Sequence, residues 1–537
     1  MFKEHLFFIS LLNFHALILA SAAGVITLRF DRQWALLPIR SPHPLGLSFE
    51  FFAFPSYMTE VKQTAQCLLN LEEAYGAPPA IRIGGTTQAV YDPKQTQPIR
   101  YSLAPGETVP RKITFGPRFI ELASDLKGTA KGVTDVTSAA PTDTLCLCSN
   151  VSVGPADIKS VWATDVTSVA SGRRLNRQSG DQANTGLAAL NAVQTMKNLY
   201  AIELGNEPEY WGRSSPEARG KRWTPEADQK SQTAWQQVIS KKVNRPRLIQ
   251  AGIFLSPPRW SVQQLAPQEG QNIAYVNSFG GHAYPQSACG RSVASLPKLM
   301  AHSEIVRFVR RFKPEVLAAM KVHRPYHFSE TNSATCGGRG ISATFGAGLW
   351  LVDYVFQSLI LGVHRLYFHQ GTINHSPYSF WNQTKISAPY YGAYFTALAL
   401  RGASQIGVVD TTDPNVAVYS MWKCKQMIRL VVYNSKFQDD KASFSSPEDR
   451  VKIDHLPDGV SSARLLRLTA KHAFIRAGGP ERGQIQIGGA YFDDNTCKIS
   501  SPPKYETVAV EKGSLELGIH QSEMIIIELD RKDLHSC

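Results

Sequence analysis

The chain has 537 residues, a hydrophobic fraction of 43% and a formal net charge of +13. That length and apolar content support large cores and allow for about two or three domains. The basic balance suits an acidic substrate and equally a merely solvated surface. The basic residues are dispersed and form no stripe interleaved with aromatics, so no nucleic-acid partner is expected.

Lys3, an apolar stretch over 6–20 and Ala20-Ser21-Ala22 read as a secretory leader over 1–23, cut near Ala22 or Ala23. As a membrane anchor the stretch is too short and is interrupted by Asn13 and His15. No other run reaches the roughly 20 apolar residues of a spanning helix. The expectation is a secreted, extracellular protein with no membrane partner. Within 24–44, Val25-Ile-Thr-Leu28 reads as a strand that joins a C-terminal β-sandwich.

Over 45–390 apolar runs alternate with helical patterns. Strands are expected at 45–54, 80–84, 199–204, 247–255, 276–284, 326–330 and 365–370. Thr224 as N-cap and Pro225 at the first helical position open a helix with Trp235, Val238, Ile239 and Val243 on one face. A second helix starts near Ser303, with Ile305, Val306, Val309 and Phe312 in step, and Pro314 ends or kinks it. A third, over 347–362, is apolar nearly all round. This alternation predicts an α/β fold, a parallel (β/α)8 TIM barrel, as the catalytic domain. From 391 to 537 short alternating runs such as Val416-Ala-Val-Tyr-Ser-Met421, separated by turn residues, predict an antiparallel β-sandwich domain.

One stretch resists. Residues 127–174 are rich in Ser, Thr, Ala and Val without periodicity, although a third barrel strand belongs between Phe119 and Leu187. A long insertion and a translated intron would each explain it. The eight cysteines are even in number, as disulfides in a secreted chain require, and their spacings fit no zinc site. Cys289 and Cys336 each follow a candidate strand closely, which places them near each other at the site rim. Sequons stand at Asn150, Asn374 and Asn382.

Two acidic motifs carry the chemistry. Ala201-Ile-Glu-Leu-Gly-Asn-Glu-Pro-Glu209 and Tyr326-His-Phe-Ser-Glu330 each put a glutamate at a strand end, in positions that fit the fourth and seventh barrel strands. Two carboxylates on one barrel face suit glycoside hydrolysis with retention: one protonates the leaving oxygen and the other attacks the anomeric carbon. Asn206, just before Glu207, is placed to bond the sugar 2-hydroxyl. Tyr284 is a candidate hydrogen-bond donor to Glu330, with His282 beside it; strand-end packing is the alternative for both. No metal and no organic cofactor is implied.

Ile81-Arg-Ile-Gly-Gly-Thr-Thr-Gln88, Leu199–Glu209, Gly281-His-Ala-Tyr284 and Ser329-Glu-Thr-Asn-Ser333 together resemble glycoside hydrolase family 79. That family holds β-glucuronidases and the related heparanases, and the chain is most similar to its fungal secreted β-glucuronidases. The resemblance covers most of the chain, including the C-terminal sandwich. It implies Glu207 as acid/base and Glu330 as nucleophile. It also implies Gln88 at the sugar and the loop of Cys336, Gly337 and Gly338 at the glucuronate carboxylate, with a plain Gly-rich turn as the alternative for the loop. Tyr378, shortly after the last strand, is a candidate to line the sugar pocket, with packing as the alternative. There are two departures. Ala89 stands where the family has an acidic residue, with Asp92 the nearest replacement, and the likeness lapses until about Arg174. The expected activity is that of a retaining exo-β-glucuronidase acting on terminal glucuronosyl or 4-O-methylglucuronosyl residues of a glycan. The rivals are an endo-acting, heparanase-like enzyme and a catalytically impaired glycan-binding protein.

Overall fold

The computed structural model describes residues 26–29, 36–41, 43–85, 88–110, 112–124, 145–147, 187–196, 199–210, 223–336, 338, 340–440, 448–478 and 481–531. The expected leader over 1–23 and the sequon at Asn150 lie outside the described residues. Eight parallel strands close into a barrel. They are β1 (Leu45–Glu50), β2 (Ala80–Gly84), β3 (Leu145–Leu147), β4 (Leu199–Glu203), β5 (Ile249–Phe254), β6 (Val276–Ala283), β7 (Tyr326–Thr331) and β8 (Arg365–Gly371). Each pairs with the next in chain order, and β8 returns to β1.

Three local outcomes differ from the sequence pattern, each for a physical reason. The strand expected over 45–54 stops at Glu50, and a helix, Phe54–Thr59, begins with Pro55 in its first turn. Proline has no N–H for a strand ladder, but its fixed φ suits a helix start. The third strand is β3, three residues inside the stretch that showed no strand signal; the rest of 127–174 lies outside the described residues. The helix Pro225–Val243 has the predicted Thr224 cap, yet much of its buried face is polar, with Asp228, Gln232, Gln236 and Ser240 beside Ile239 and Val243. Trp235 and Val238 are only half-buried. Gln232 satisfies both backbone groups of Gly252 in β5, at 3.3 and 3.1 Å, and Gln236 donates to Glu269 at 3.0 Å.

The helix expected over 347–362 spans Phe345–Leu361, with Thr344 as N-cap and Gly362 closing it in the left-handed region at φ 101°. It is buried along most of its length, and Trp350 stacks on Tyr354 at 4.9 Å between ring centroids. Helix His302–Arg310 gives way to Lys313–Lys321, and Pro314 sits in the first turn of the second.

The C-terminal strands are antiparallel among themselves and form the larger sheet of a sandwich, with Leu37–Pro38 added at its edge through Gln405–Val409. The smaller sheet holds Ile26–Arg29, Asp449–Asp454 and Leu515–Ile519. Ile26, Val451, Leu517, Val418, Ile525 and Ile527 belong to one buried apolar cluster joining the two sheets. A disulfide between Cys67 and Cys497 spans 430 residues of sequence and ties a barrel helix to the C-terminal segment.

Candidate active site

The barrel's C-terminal end gathers buried charge. Arg82, on β2, is fully buried. Its guanidinium donates to Glu203 on β4 at 3.0 Å, to Ser48 on β1 at 2.8 Å, to Glu330 on β7 at 2.8 Å and to Asn206 at 3.1 Å. A guanidinium is planar, permanently charged and rich in donors, so one side chain can order four partners. Glu203 also accepts from Gln250 on β5 at 2.5 Å, and Gln250 accepts from Ser278 on β6 at 2.7 Å.

Both oxygens of Glu330 are engaged. Oε2 accepts from Arg82, and Oε1 accepts from the Tyr284 hydroxyl at 2.7 Å. Burial pushes this carboxyl up, but His369, His282 and Arg82 and the Tyr284 bond pull harder, leaving it well below the usual carboxylate range. Glu330 is therefore ionised at working pH. His369, on β8, lies 3.4 Å from Glu50 and 3.8 Å from Glu330. Burial lowers its proton affinity, but the charges of Glu330 and Glu50 outweigh burial and raise it. Glu50 reaches its place because Gly85 has no side chain: at φ +145° a Cβ there would stand 2.2 Å from both Glu50 oxygens.

Glu207 is set differently. It follows β4 in the left-handed region at φ 45°, and its side chain is only partly covered. His282 Nδ1 lies 2.8 Å from its Oε1, while His282 Nε2 faces an Arg82 nitrogen at 3.4 Å. An oxygen of Glu207, an oxygen of Glu330 and a nitrogen of His282 all lie within 4.8 Å of one another. Retaining glycosidases hold their carboxyl groups about 5–5.5 Å apart, and inverting ones about 6.5–9.5 Å. Nearest atoms this close fit the retaining arrangement better than the inverting one, which leaves room for a water between its carboxyl groups.

The other expected residues divide. Asn206 is buried, its amide oxygen turned to Arg82. The Tyr378 ring centroid lies 5.9 Å from that of His369, and burial, followed by the charges of Glu330 and Glu50, pushes its hydroxyl well up. Gly338 is buried at φ +53°, where a Cβ would meet Ser342 Oγ at 1.9 Å. Cys336 is exposed and bonded to Cys289, so these two cysteines do meet at the rim. Gly337 and the side chains of Gln88 and Ala89 lie outside the described residues. Asp92 accepts the Lys94 amide at 3.0 Å, in a turn of its own. Among the sequons, Asn374 is exposed, whereas Asn382 is buried and caps its own turn.

Sequence reasoning assigned no role to Arg82, Glu203, Glu50, His369 or Gln250. One signal was present. A charged or amide side chain inside an otherwise apolar strand, as in Ala80-Ile-Arg-Ile-Gly84, is buried only with partners.

Residues 418–526 match the family described as Glycosyl hydrolase family 79 C-terminal beta domain. A β-glucuronidase of Aspergillus niger is 27% identical over 441 residues, covering 74% of this chain and 72% of that protein. A Fusarium oxysporum 12S crystal structure, of a 4-O-α-L-rhamnosyl-β-D-glucuronidase with Rha-GlcA, is 36% identical, covers 94% of this chain and 100% of its own, and superposes with a TM-score of 0.79. A family 51 α-L-arabinofuranosidase of Bifidobacterium longum, 12% identical with a TM-score of 0.57, shares the fold alone. With the barrel, the sandwich and this likeness along nearly its whole length, the chain belongs to glycoside hydrolase family 79.

Proposed function

We propose that the chain is a retaining β-glucuronidase that releases terminal glucuronosyl residues from a glycan, with Glu330 as nucleophile and Glu207 as acid/base. The observation that carries this reading is the pair of carboxylates, one held ionised between Arg82 and Tyr284, the other within 4.8 Å and partly open. Glu207 protonates the glycosidic oxygen while Glu330 attacks the anomeric carbon and the bond to the leaving group breaks. Glu207, now ionised, takes a proton from water, and that water displaces Glu330 from the glycosyl-enzyme. Asn206, its amide oxygen held by Arg82, stands beside Glu207 to bond the sugar 2-hydroxyl. Tyr378 lines the sugar pocket. The backbone around Gly337 and Gly338, with Cys336 pinned by its disulfide, receives the substrate carboxylate, and Gln88 contributes from the strand after β2. The leader at 1–23 directs the protein outside the cell; among the described residues no helix is long and apolar enough to cross a membrane.

The test compares an aryl β-glucuronide with the matching β-glucoside. Glucuronide turnover that Glu330→Gln abolishes supports the reading. Preference for the glucoside would sink the carboxylate assignment and leave the mechanism. Release of monosaccharide from chain ends, without internal cleavage, supports exo action. The Fusarium likeness favours a second reading, a substrate whose glucuronate is substituted at O4. Bare, 4-O-methylated and 4-O-rhamnosylated glucuronides, compared by kcat/KM, separate the two.

A further inference from the structure

Glu209 has no part in the chemistry above, yet it is built into the same turn. Its Oε1 accepts the backbone N–H of Leu255 at 2.6 Å and of Ser256 at 2.8 Å. These two residues follow β5 directly. Within β5 the pairing with β6 shifts register between Gly252 and Phe254, a bulge that puts Gly252 at φ +99° and Ile253 at φ 65°. A β-branched residue in the left-handed region is strained and persists only where its surroundings over-determine it. Bulges beside active sites re-aim the chain, and this one turns the Ile253 carbonyl toward the Glu207 amide, which donates to it at 3.2 Å. Glu207 is itself in the left-handed region at φ 45°. Two strained residues, Ile253 within β5 and Glu207 in the turn after β4, thus lean on each other. Gln232 grips the bulge from the helix side, through Gly252. Glu209 grips its exit from the loop that carries Glu207.

We propose that Glu209 is the positioning residue for the acid/base: its carboxyl clamps the exit of the β5 bulge to the Glu207 turn and so fixes where the Glu207 carboxyl stands. This rests on Glu207 being the acid/base. Glu209 Oε2 is buried and meets no acceptor or donor among the described residues. Burial, with the Glu207 charge adding to it, pushes the carboxyl up to about 7 against the pull of the amides. The clamp uses a single oxygen, Oε1, which accepts both N–H groups, and Glu209→Gln keeps such an oxygen.

Leaving-group dependence separates this role from a general structural one. A misplaced acid harms departure of a poor leaving group and spares a good one. The experiment measures kcat/KM, which reports steps up to the glycosyl-enzyme, on phenyl and 2,4-dinitrophenyl β-glucuronides. The proteins are wild type, Glu207→Ala, Glu209→Ala and Glu209→Gln. General acids contribute on the order of 10²–10⁴-fold, so Glu209→Ala, which leaves the acid present but loosely held, should lose roughly 10–100-fold on the phenyl substrate. It should stay within about threefold of wild type on the dinitrophenyl substrate, and Glu209→Gln within about threefold on both. Equal losses on both substrates, no loss on the phenyl substrate, or failure of glutamine to restore it would overturn the proposal. If Glu207→Ala itself shows no such dependence, the acid/base reading fails and the proposal falls with it. If Glu207→Ala shows it and Glu209→Ala does not, only the clamp is wrong. Should Glu209→Ala not fold, Glu209→Asp, one methylene shorter, supplies the same comparison.

Discussion

Replacing Arg82 by Met tests the buried charge cluster that holds Glu330, the proposed nucleophile. The substitution keeps an unbranched side chain but strands Glu203 and Glu330, both buried, without their shared cation. Removing one partner of a buried ion pair costs about 3–5 kcal/mol, because the remaining charge stays desolvated. Against a typical stability of about 5–15 kcal/mol that is a large fraction. With a urea slope of about 3 kcal/mol/M the unfolding midpoint should fall by roughly 1–2 M. The same change alters activity through Glu330. Its lowered folded-state pKa means that its stabilising contribution is present above the ordinary carboxylate range and is lost as pH falls through the lowered value. Without Arg82 that window moves upward, and the acidic limb of kcat/KM moves upward with it. Arg82→Lys should recover only part of either effect, since an ammonium cannot reach Ser48, Glu203, Asn206 and Glu330 together. Urea titrations and pH profiles of the three proteins decide the matter. An unchanged midpoint together with an unmoved acidic limb in Arg82→Met would mean that Arg82 holds neither the fold nor Glu330 through its charge.

Tyr284→Phe deletes a bond to a charged group, a contribution of about 1.5–3 kcal/mol; kcat/KM for an aryl glucuronide should fall roughly 10–100-fold, with the acidic limb again shifted upward. His302 contacts Asp353 at 2.8 Å beneath the sandwich, where Tyr419 also donates to Asp353. Burial lowers the imidazolium's proton affinity, but Asp353 overrides this and raises it. The pair therefore stabilises fully below the unfolded histidine pKa and is lost as pH rises through the raised value. Thermal midpoints measured across that window should fall with pH in the wild type and flatten in His302→Gln. Replacing both Cys67 and Cys497 by Ala should cost about 2–5 kcal/mol of stability, read by urea unfolding, with kcat little changed. Opening Cys289–Cys336 should instead raise KM for glucuronides, because that bridge pins the loop proposed to receive the carboxylate.

The sequence disclosed most where chemistry and local periodicity coincide. Glu207 and Glu330 were visible because each ends an apolar run, and Thr224-Pro225 because capping is local. The third strand was not, because Leu145–Leu147 is too short to show a period amid a Ser/Thr-rich stretch. Neither was the Cys67–Cys497 bridge, whose partners only tertiary packing brings together. The polar face of Pro225–Val243 runs against the usual apolar-stripe rule because its partners are the backbone of a bulge and a buried carboxyl. Arg82 and Glu209 gain meaning only once the barrel closes, since their partners come from four strands and from a strand exit some 46 residues downstream.

The most direct test of the central claim is to trap the glycosyl-enzyme with a 2-deoxy-2-fluoro-β-glucuronosyl fluoride and map the label by mass spectrometry. A single added sugar should appear on the peptide bearing Glu330, and none in Glu330→Gln. Label on Glu207, or normal turnover with no adduct and an inverted product, would contradict it.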